Sequence, residues 1–521
     1  MSASPLRDLL AEHPRVSVAD TITERRSQEL VIALVGPVGS GVSTAAGFLR
    51  DLLSNDFGYT VRPIIKPSEI IRSEASRVGI SAPPKAPLDA YITQMQTAGN
   101  ALRERFGNNY LAEKAVEQIY KFRKANGGYS DSDVPLPGRR AYIIDSLKNP
   151  EELALLRQIY GETLCVVGVF APDEMRAARL KDNGVATDAV QRIMDRDRGE
   201  PATFGQKTRK LFVEADLFLC NDHKQEELKT KILRFLNIIF NTSVHTPYRA
   251  ESAMYEACSA SANSACMSRQ VGAAIVSAEG ELIAVGWNDV PRFGGGLYGE
   301  DQQSVWDSER GALLDKDFRC FKWKGCICHN ETRRVDIVDK IAKRIYGSAV
   351  LKKGAIYNDV RSLLVGTEID SLIEFSRSIH AEMEAILSVA REGRHSISGA
   401  TLYTTTYPCH NCARHIVASG ITTVVYIEPY DKSLATALHS DSITEDPNDK
   451  TRVVFRQYDG VAPRSFLRLF RPAADRKKDG EVMKRSQKHA LPVFQVPLDS
   501  PTDYELKVIA DLSHREHNDT P

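Results

Sequence analysis

The chain has 521 residues, more than one hydrophobic core usually serves, so two or three domains are expected. Its 68 Lys plus Arg balance 68 Asp plus Glu, at 42% hydrophobic and 26% charged residues. That balance excludes an overall positive field able to draw the protein onto nucleic acid or an anionic membrane.

Residues 1–27 read as an N-terminal extension. Met1 to Asp20 carries scattered charge and no apolar stretch of the signal-peptide kind. No apolar run approaches the roughly 20 residues that span a bilayer, so a cytoplasmic protein without membrane contact is expected. A strand over 30–35 enters a glycine-rich turn and a helix over 44–53. Strands over 141–145, 164–170 and 215–220 then alternate with helices over 110–124 and 150–160. This alternation predicts an α/β domain with a parallel sheet over 28–245, closed by a helix over 226–240.

Within it, Gly36-Pro37-Val38-Gly39-Ser40-Gly41-Val42-Ser43-Thr44 follows a buried strand and opens a helix, the setting a phosphate-binding loop needs. Gly36, Gly39, Ser40, Gly41, Val42 and Ser43 are therefore candidate nucleotide-binding residues. Val42 holds the place where such loops carry a lysine. Ser43 keeps the hydroxyl that would meet Mg2+, with Asp145 as its carboxylate partner. Two readings stand: backbone amides that cradle a nucleotide with Mg2+, and a structural turn only. Arg192, Arg196 and Arg198 read either as a lid over phosphate or as a solvated helix face.

The second domain is read over 246–521. It opens with a helix over 248–265 and strands over 271–277 and 282–287. A long irregular insertion follows at about 289–378, a length that usually signals function or an added subdomain. A helix over 380–390, a strand over 401–406, a helix over 409–419 ended by Gly420 and a strand over 423–428 come next. A C-terminal extension begins near 445.

The nine cysteines are an odd number, and Cys326 with Cys328 and Cys409 with Cys412 form two close clusters, so metal or catalytic use outweighs disulfides. His380-Ala381-Glu382 begins one helix and Pro408-Cys409-His410-Asn411-Cys412 another. Two thiolates three positions apart at a helix N-terminus lie on one turn, whose positive end favours deprotonated sulfur. With His380 they make three ligands for Zn2+, leaving the fourth tetrahedral position for a water that the metal acidifies. Glu382 suits proton transfer better than ligation. The pattern H-x-E followed by P-C-x-x-C is that of zinc deaminases. A structural zinc knuckle would recruit a fourth Cys or His and has no need of the glutamate.

Through these motifs, with Ser264-Ala265-Cys266-Met267-Ser268-Arg269-Gln270-Val271-Gly272-Ala273-Ala274 and Gly286-Trp287-Asn288, residues 248–440 resemble deoxycytidylate deaminases. The resemblance implies a cytidine deaminase-like three-layer α/β/α domain with a mixed sheet. It makes Asn288 a sugar ligand and Tyr430 a cover for the base or sugar; a turn-forming role is the other reading of Asn288. Some phage-type members carry a second, structural zinc with a cysteine at the place of Cys266. Cys266, Cys320, Cys326, Cys328 and His329 are accordingly either a second zinc site or free thiols with a neighbouring histidine.

The first half resembles nucleotide kinases, which implies a P-loop NTPase-like three-layer domain. The combination resembles the bacterial anti-phage deoxycytidine nucleotide deaminases. That resemblance implies conversion of dCTP or dCMP to uracil nucleotides and ammonia, dCTP depletion in antiviral defence, and a regulatory N-terminal domain. It also implies a homo-oligomer and control by an inhibitory RNA or a phage-derived trigger. The competing reading is a nucleic-acid cytosine or adenosine editing deaminase, against which the neutral charge balance counts.

Overall fold

The computed structural model describes residues 22–222, 225–301, 305–309, 311–314, 316–348, 350–352, 354–430, 432–472 and 475–518. Most of the expected N-terminal extension, residues 1–21, lies outside them. Two compact units divide the chain: residues 1–247 with 459–521, and residues 248–458.

The first unit is built on β1 (Leu30–Val35), α1 (Val42–Asn55), β2 (Thr60–Val61), α2 (Leu88–Phe106), α3 (Tyr110–Ala125), β3 (Arg140–Asp145), α4 (Pro150–Tyr160), β4 (Leu164–Phe170), α5 (Asp173–Asp182), α6 (Thr187–Arg198), β5 (Leu217–Cys220) and α7 (Gln225–Ile239). The parallel strands run in the order β5-β4-β1-β3-β2. All six residues of β1 are buried, the mark of a strand covered on both faces. Leu30, Ile32 and Leu34 pack with α1 and α7. The alternate residues Val31, Ala33 and Val35 face the other way, where α3 and α4 lie against β3 and β4. The result is a three-layer α/β fold.

Residues 459–521, expected from sequence to extend the second domain, pack with this first unit. The short strand Gly460–Val461 pairs antiparallel with the edge of β5, and the helix Asp499–Asn518 packs on α3. Arg123 of α3 binds both this helix and the strand side of the unit. Its buried guanidinium donates to the carboxylates of Glu29 and Glu505. A buried cation of this kind needs both partners, and the second is supplied from far along the chain.

The second unit holds α8 (Arg249–Ser261), β6 (Gly272–Val276), β7 (Leu282–Trp287), α9 (His329–Tyr346), α10 (Ala381–Glu392), β8 (Thr401–Thr406), α11 (His410–Ser419), β9 (Thr423–Glu428), β10 (Ile443–Thr444) and β11 (Val453–Gln457). Its sheet has the order β10-β11-β9-β8-β6-β7, with β8, β9, β11 and β10 parallel and β6 antiparallel to both neighbours. The mixed sheet follows from the β6-β7 hairpin.

Gly286 lets α10 lie directly on β7: a β carbon there would meet the carbonyl of Ala381 and the amide nitrogen of Ala385. Glycine is needed for that close approach rather than for a turn. The insertion, read as irregular, contains the 18-residue helix α9. Only Val338 and Ala342 of α9 are buried, which leaves too thin an apolar stripe to signal a helix. No helix among the described residues is long and apolar enough to cross a membrane.

Candidate active site

Two helix N-termini meet in the second unit. His380 is the N-cap of α10 and Cys409 the N-cap of α11, and both have extended backbone there. Pro408 precedes the second cap, where it cannot prolong a helix backwards. His380 Nδ1 lies 3.3 Å from the Sγ of both Cys409 and Cys412. The ligand atoms of these three residues all fall within 4.8 Å of one another, and among the described residues no other group of three or more His, Cys, Asp or Glu does so.

Their chemistry fits zinc. One imidazole nitrogen and two sulfurs suit a borderline-soft ion, and among the described residues no fourth protein ligand closes the set. The Cys409 thiol is lowered to about 4, by the neighbouring Cys412 first and then His380, while His380 is raised to about 9 by Cys409. Cys412 is pushed up by Cys409 and by burial. Without a metal the cluster is a Cys409 thiolate paired with a His380 imidazolium beside a Cys412 thiol; a bound dication would displace the His380 and Cys412 protons, so that both sulfurs ligate as thiolates.

Glu382 is buried in the first turn of α10, with Oε2 3.5 Å from Cys412 Sγ. Burial raises its carboxyl above the ordinary glutamate range. His380, Glu382 and Cys409 form one wall of a cavity of about 520 Å3. Asn288, Tyr407 and Tyr430 also line it, and the guanidinium of Arg269 sits 6.0 Å from the Tyr430 ring.

Asn288 has a job in the protein itself. Its Oδ1 accepts from the Val271 N–H at 2.7 Å and its Nδ2 donates to the Arg269 carbonyl at 2.8 Å. Sequence reasoning missed four basic residues on the cavity wall: Arg269, Arg334, Arg377 and Lys432. Two come from the insertion, where basic residues in a stretch without a clear fold gave no signal of what they face.

The five residues read either as a second zinc site or as free thiols are partly gathered. Cys266, Cys320, Cys328 and His329 line the same cavity, but no three of them have ligand atoms within 4.8 Å of one another. Cys326 is exposed in a turn at φ 56°. Cys328 caps α9 and places its sulfur 3.6 Å from Ser268 Oγ. Cys320 is near enough to both Cys266 and Cys328 to feel their charge, so three of the five residues have sulfurs that are neighbours on this wall without meeting as a compact ligand set.

In the first unit, the loop over 36–43 has the shape expected of it. Gly39 and Gly41 have φ of 80° and 83°, and α1 starts at Val42. Gly36 is in contact range of β4: a β carbon would meet the Val169 carbonyl. Ser43 Oγ donates to Asp145 Oδ2 at 2.7 Å. Ser40 is buried, and Val42 belongs to the core. Arg196 and Arg198 are spent on Glu200 and Asp173, and Arg192 lies exposed beside Asp188.

Comparison with known proteins shows what the segment around the His380 cluster is similar to. Residues 247–428 match the family model described as the cytidine and deoxycytidylate deaminase zinc-binding region. The matched segment holds His380, Glu382, Cys409 and Cys412. Over 55 residues the chain is 56% identical to the deoxycytidylate deaminase of Enterobacteria phage T2, covering 11% of this chain and 29% of that protein. The match therefore spans less than a third of the phage relative. A UPF0200 protein of Thermococcus onnurineus is 23% identical over 206 residues, 39% of this chain and 94% of that protein, a likeness that falls in the N-terminal half. The solved dCMP deaminase of cyanophage S-TIM5 is 18% identical over 41% of this chain and 100% of that one, with a TM-score of 0.21. A likeness of that size carries no functional argument.

Proposed function

We propose that the chain is a zinc-dependent hydrolytic deaminase of deoxycytidine nucleotides, releasing ammonia from dCMP, dCTP or both. The observation that carries this reading is the convergence of His380 Nδ1, Cys409 Sγ and Cys412 Sγ within 4.8 Å, with His380 and Cys409 at the wall of a cavity that Glu382 also lines. Zinc held by these three residues supplies the Lewis acidity that makes water a nucleophile near neutral pH.

The remaining work falls to the chain's own residues. Glu382, buried and biased toward its protonated form, carries the proton from water to the ring nitrogen and on to the leaving amine. The bond from the ring carbon to oxygen forms first, with the ring nitrogen protonated, and the bond to the amine breaks afterwards as the protonated amine leaves as ammonia. Tyr430 covers the base or sugar. Asn288 keeps one amide N–H and one oxygen lone pair beyond its two backbone bonds, enough to meet a sugar hydroxyl. Arg269, Arg334, Arg377 and Lys432 supply positive charge for the phosphates.

The N-terminal unit acts as regulator, with a phosphorylated ligand and Mg2+ at residues 36–43. dCTP depletion in antiviral defence, assembly into a homo-oligomer, and release by an RNA or phage-derived trigger complete this reading. Editing of cytosine or adenine in nucleic acid would use the same ligands, but the balanced charge favours a small-molecule substrate.

Incubation of the purified protein with dCMP, dCTP, cytidine and a cytosine-containing single strand, followed by ammonia release and product mass, tests the proposal. Conversion of dCMP or dCTP with the strand untouched is expected. Reaction of the strand alone would replace this reading by editing.

A further inference from the structure

The loop over 36–43 lacks a lysine of its own, and the structure offers one from elsewhere. Lys148 lies three residues beyond Asp145, in the segment that leaves β3. Its Nζ donates to the Gly36 carbonyl at 2.9 Å and to Asp197 Oδ1 at 2.7 Å. Its backbone N–H is fixed by Glu152 Oε2 at 2.9 Å, and Asp197 also accepts from the Val38 N–H at 2.7 Å. The ammonium therefore sits against the first residue of the loop and is tied to its third.

This is where a lysine at position 42 would bring its charge. The Val42 side chain curls back toward Gly36, so that a β carbon on Gly36 would meet Val42 Cγ2. A longer side chain leaving the same atom in the same direction would reach the Gly36 carbonyl, which Lys148 already holds.

The loop itself is set for an anion. The carbonyls of Val38, Gly39 and Ser40 are occupied by Arg176, Arg179 and Asn221. The N–H groups of Val42 and Ser43, in the first turn of α1, have no acceptor within the helix. Ser40 Oγ is buried without a partner among the described residues, on the inner side of the loop facing Gly36. Across the mouth, Ser43 and Asp145 are hydrogen-bonded as a hydroxyl and carboxylate that would share a divalent cation.

We propose that Lys148 replaces the missing loop lysine and that this site takes the polyphosphate of a nucleoside di- or triphosphate with Mg2+. The assignment rests on the reading of residues 36–43 as a phosphate-binding loop. Asp145 and Lys148 then come from one segment after β3, cation ligand and phosphate ligand together. Asp197 holds the ammonium at the loop until phosphate charge competes for it.

Binding of Mg·ATP and Mg·GTP to the full-length protein, measured by equilibrium dialysis, tests this with purine nucleotides that a cytosine site rejects. The parent should bind one of them, and Lys148→Met should weaken that binding by about tenfold or more, the scale of a lost charge-assisted hydrogen bond. Val42→Lys in the Lys148→Met background should restore it, because the side chain at 42 already runs toward Gly36, whose carbonyl Lys148 holds. A purely structural Lys148 would not be rescued from position 42. Undiminished binding by Lys148→Met, or no rescue by the double variant, would overturn the role of Lys148 alone. Failure of the parent to bind either nucleotide would overturn the phosphate-loop reading with it.

Discussion

Asn288 holds Val271: the Asn288 Oδ1 accepts the Val271 N–H at 2.7 Å, while its Nδ2 reaches back to the Arg269 carbonyl. The segment that this amide fastens lines the cavity beside His380. Asn288→Ala should therefore do two things at once. It leaves the Val271 N–H and the Arg269 carbonyl, both in part-buried bonds to Asn288, without their side-chain partner, at a cost of about 0.5–1.5 kcal/mol each. It also frees Arg269 and Val271 to shift, raising KM. Thermal melting together with steady-state kinetics checks this. An Ala variant that melts like the parent and loses only substrate binding would mean that Asn288 serves the ligand alone.

Glu382 and Cys412 should part company in a metal assay. Glu382→Ala should lower turnover by about 10²–10⁴-fold or more while zinc stays bound, since the carboxylate moves protons and does not ligate. Cys412→Ala removes one of three ligands and should lose the metal as well as the activity. Zinc content by elemental analysis, beside ammonia release, separates the two. Loss of zinc from the Glu382 variant would make that residue part of the metal's support.

The H-x-E and P-C-x-x-C motifs were legible because each sits on one helical turn, where sequence spacing sets spatial spacing. The strands at 30–35, 164–170, 401–406 and 423–428 were legible for the same local reason. What escaped depended on distant partners. The strand Gly460–Val461 has two residues and means nothing until β5 offers its edge. Lys148 lies 112 residues from the glycine whose carbonyl it holds. The nearness of Cys266 to Cys320 and Cys328 likewise joins residues far apart in the chain, while Cys326, close to them in sequence, lies exposed in a turn.

Gly286 should be among the least replaceable residues of the catalytic unit despite making no polar contact with the site. Gly286→Ala places a methyl group against the backbone of Ala381 and Ala385, next to His380 and Glu382. Overpacking of this kind costs about 1–3 kcal/mol. The displacement of α10 should weaken zinc binding, measurable by competition with a chelator. A variant that holds zinc as the parent does would show that α10 can shift without moving His380.

Acid should loosen the first unit through Glu29. Its carboxylate accepts from the guanidinium groups of Arg123 and Arg140 and from the Tyr142 hydroxyl. Burial opposes the charge, but the two guanidinium groups outweigh it and hold Glu29 below its ordinary value of 4.5. A lowered folded value means stability that is fully present above pH 4.5 and lost as pH falls through the folded value. Glu505 shares Arg123 but has that one cation against nearly complete burial and Glu29's charge beside it, so its carboxyl is raised and its contribution has the opposite slope. Glu29, with more donors, should dominate. Glu29→Gln should be less stable than the parent near neutrality, and the gap should narrow as pH falls below 4.5. Hydrogen exchange along α3 and the helix Asp499–Asn518 reads this locally, without requiring the two units to unfold together. A gap that widens in acid would assign the slope to Glu505 instead, and Arg123→Met, which strips Glu505 of its cation while Glu29 keeps Arg140, at a cost of about 3–5 kcal/mol, should then be rescued more by Glu505→Gln than by Glu29→Gln.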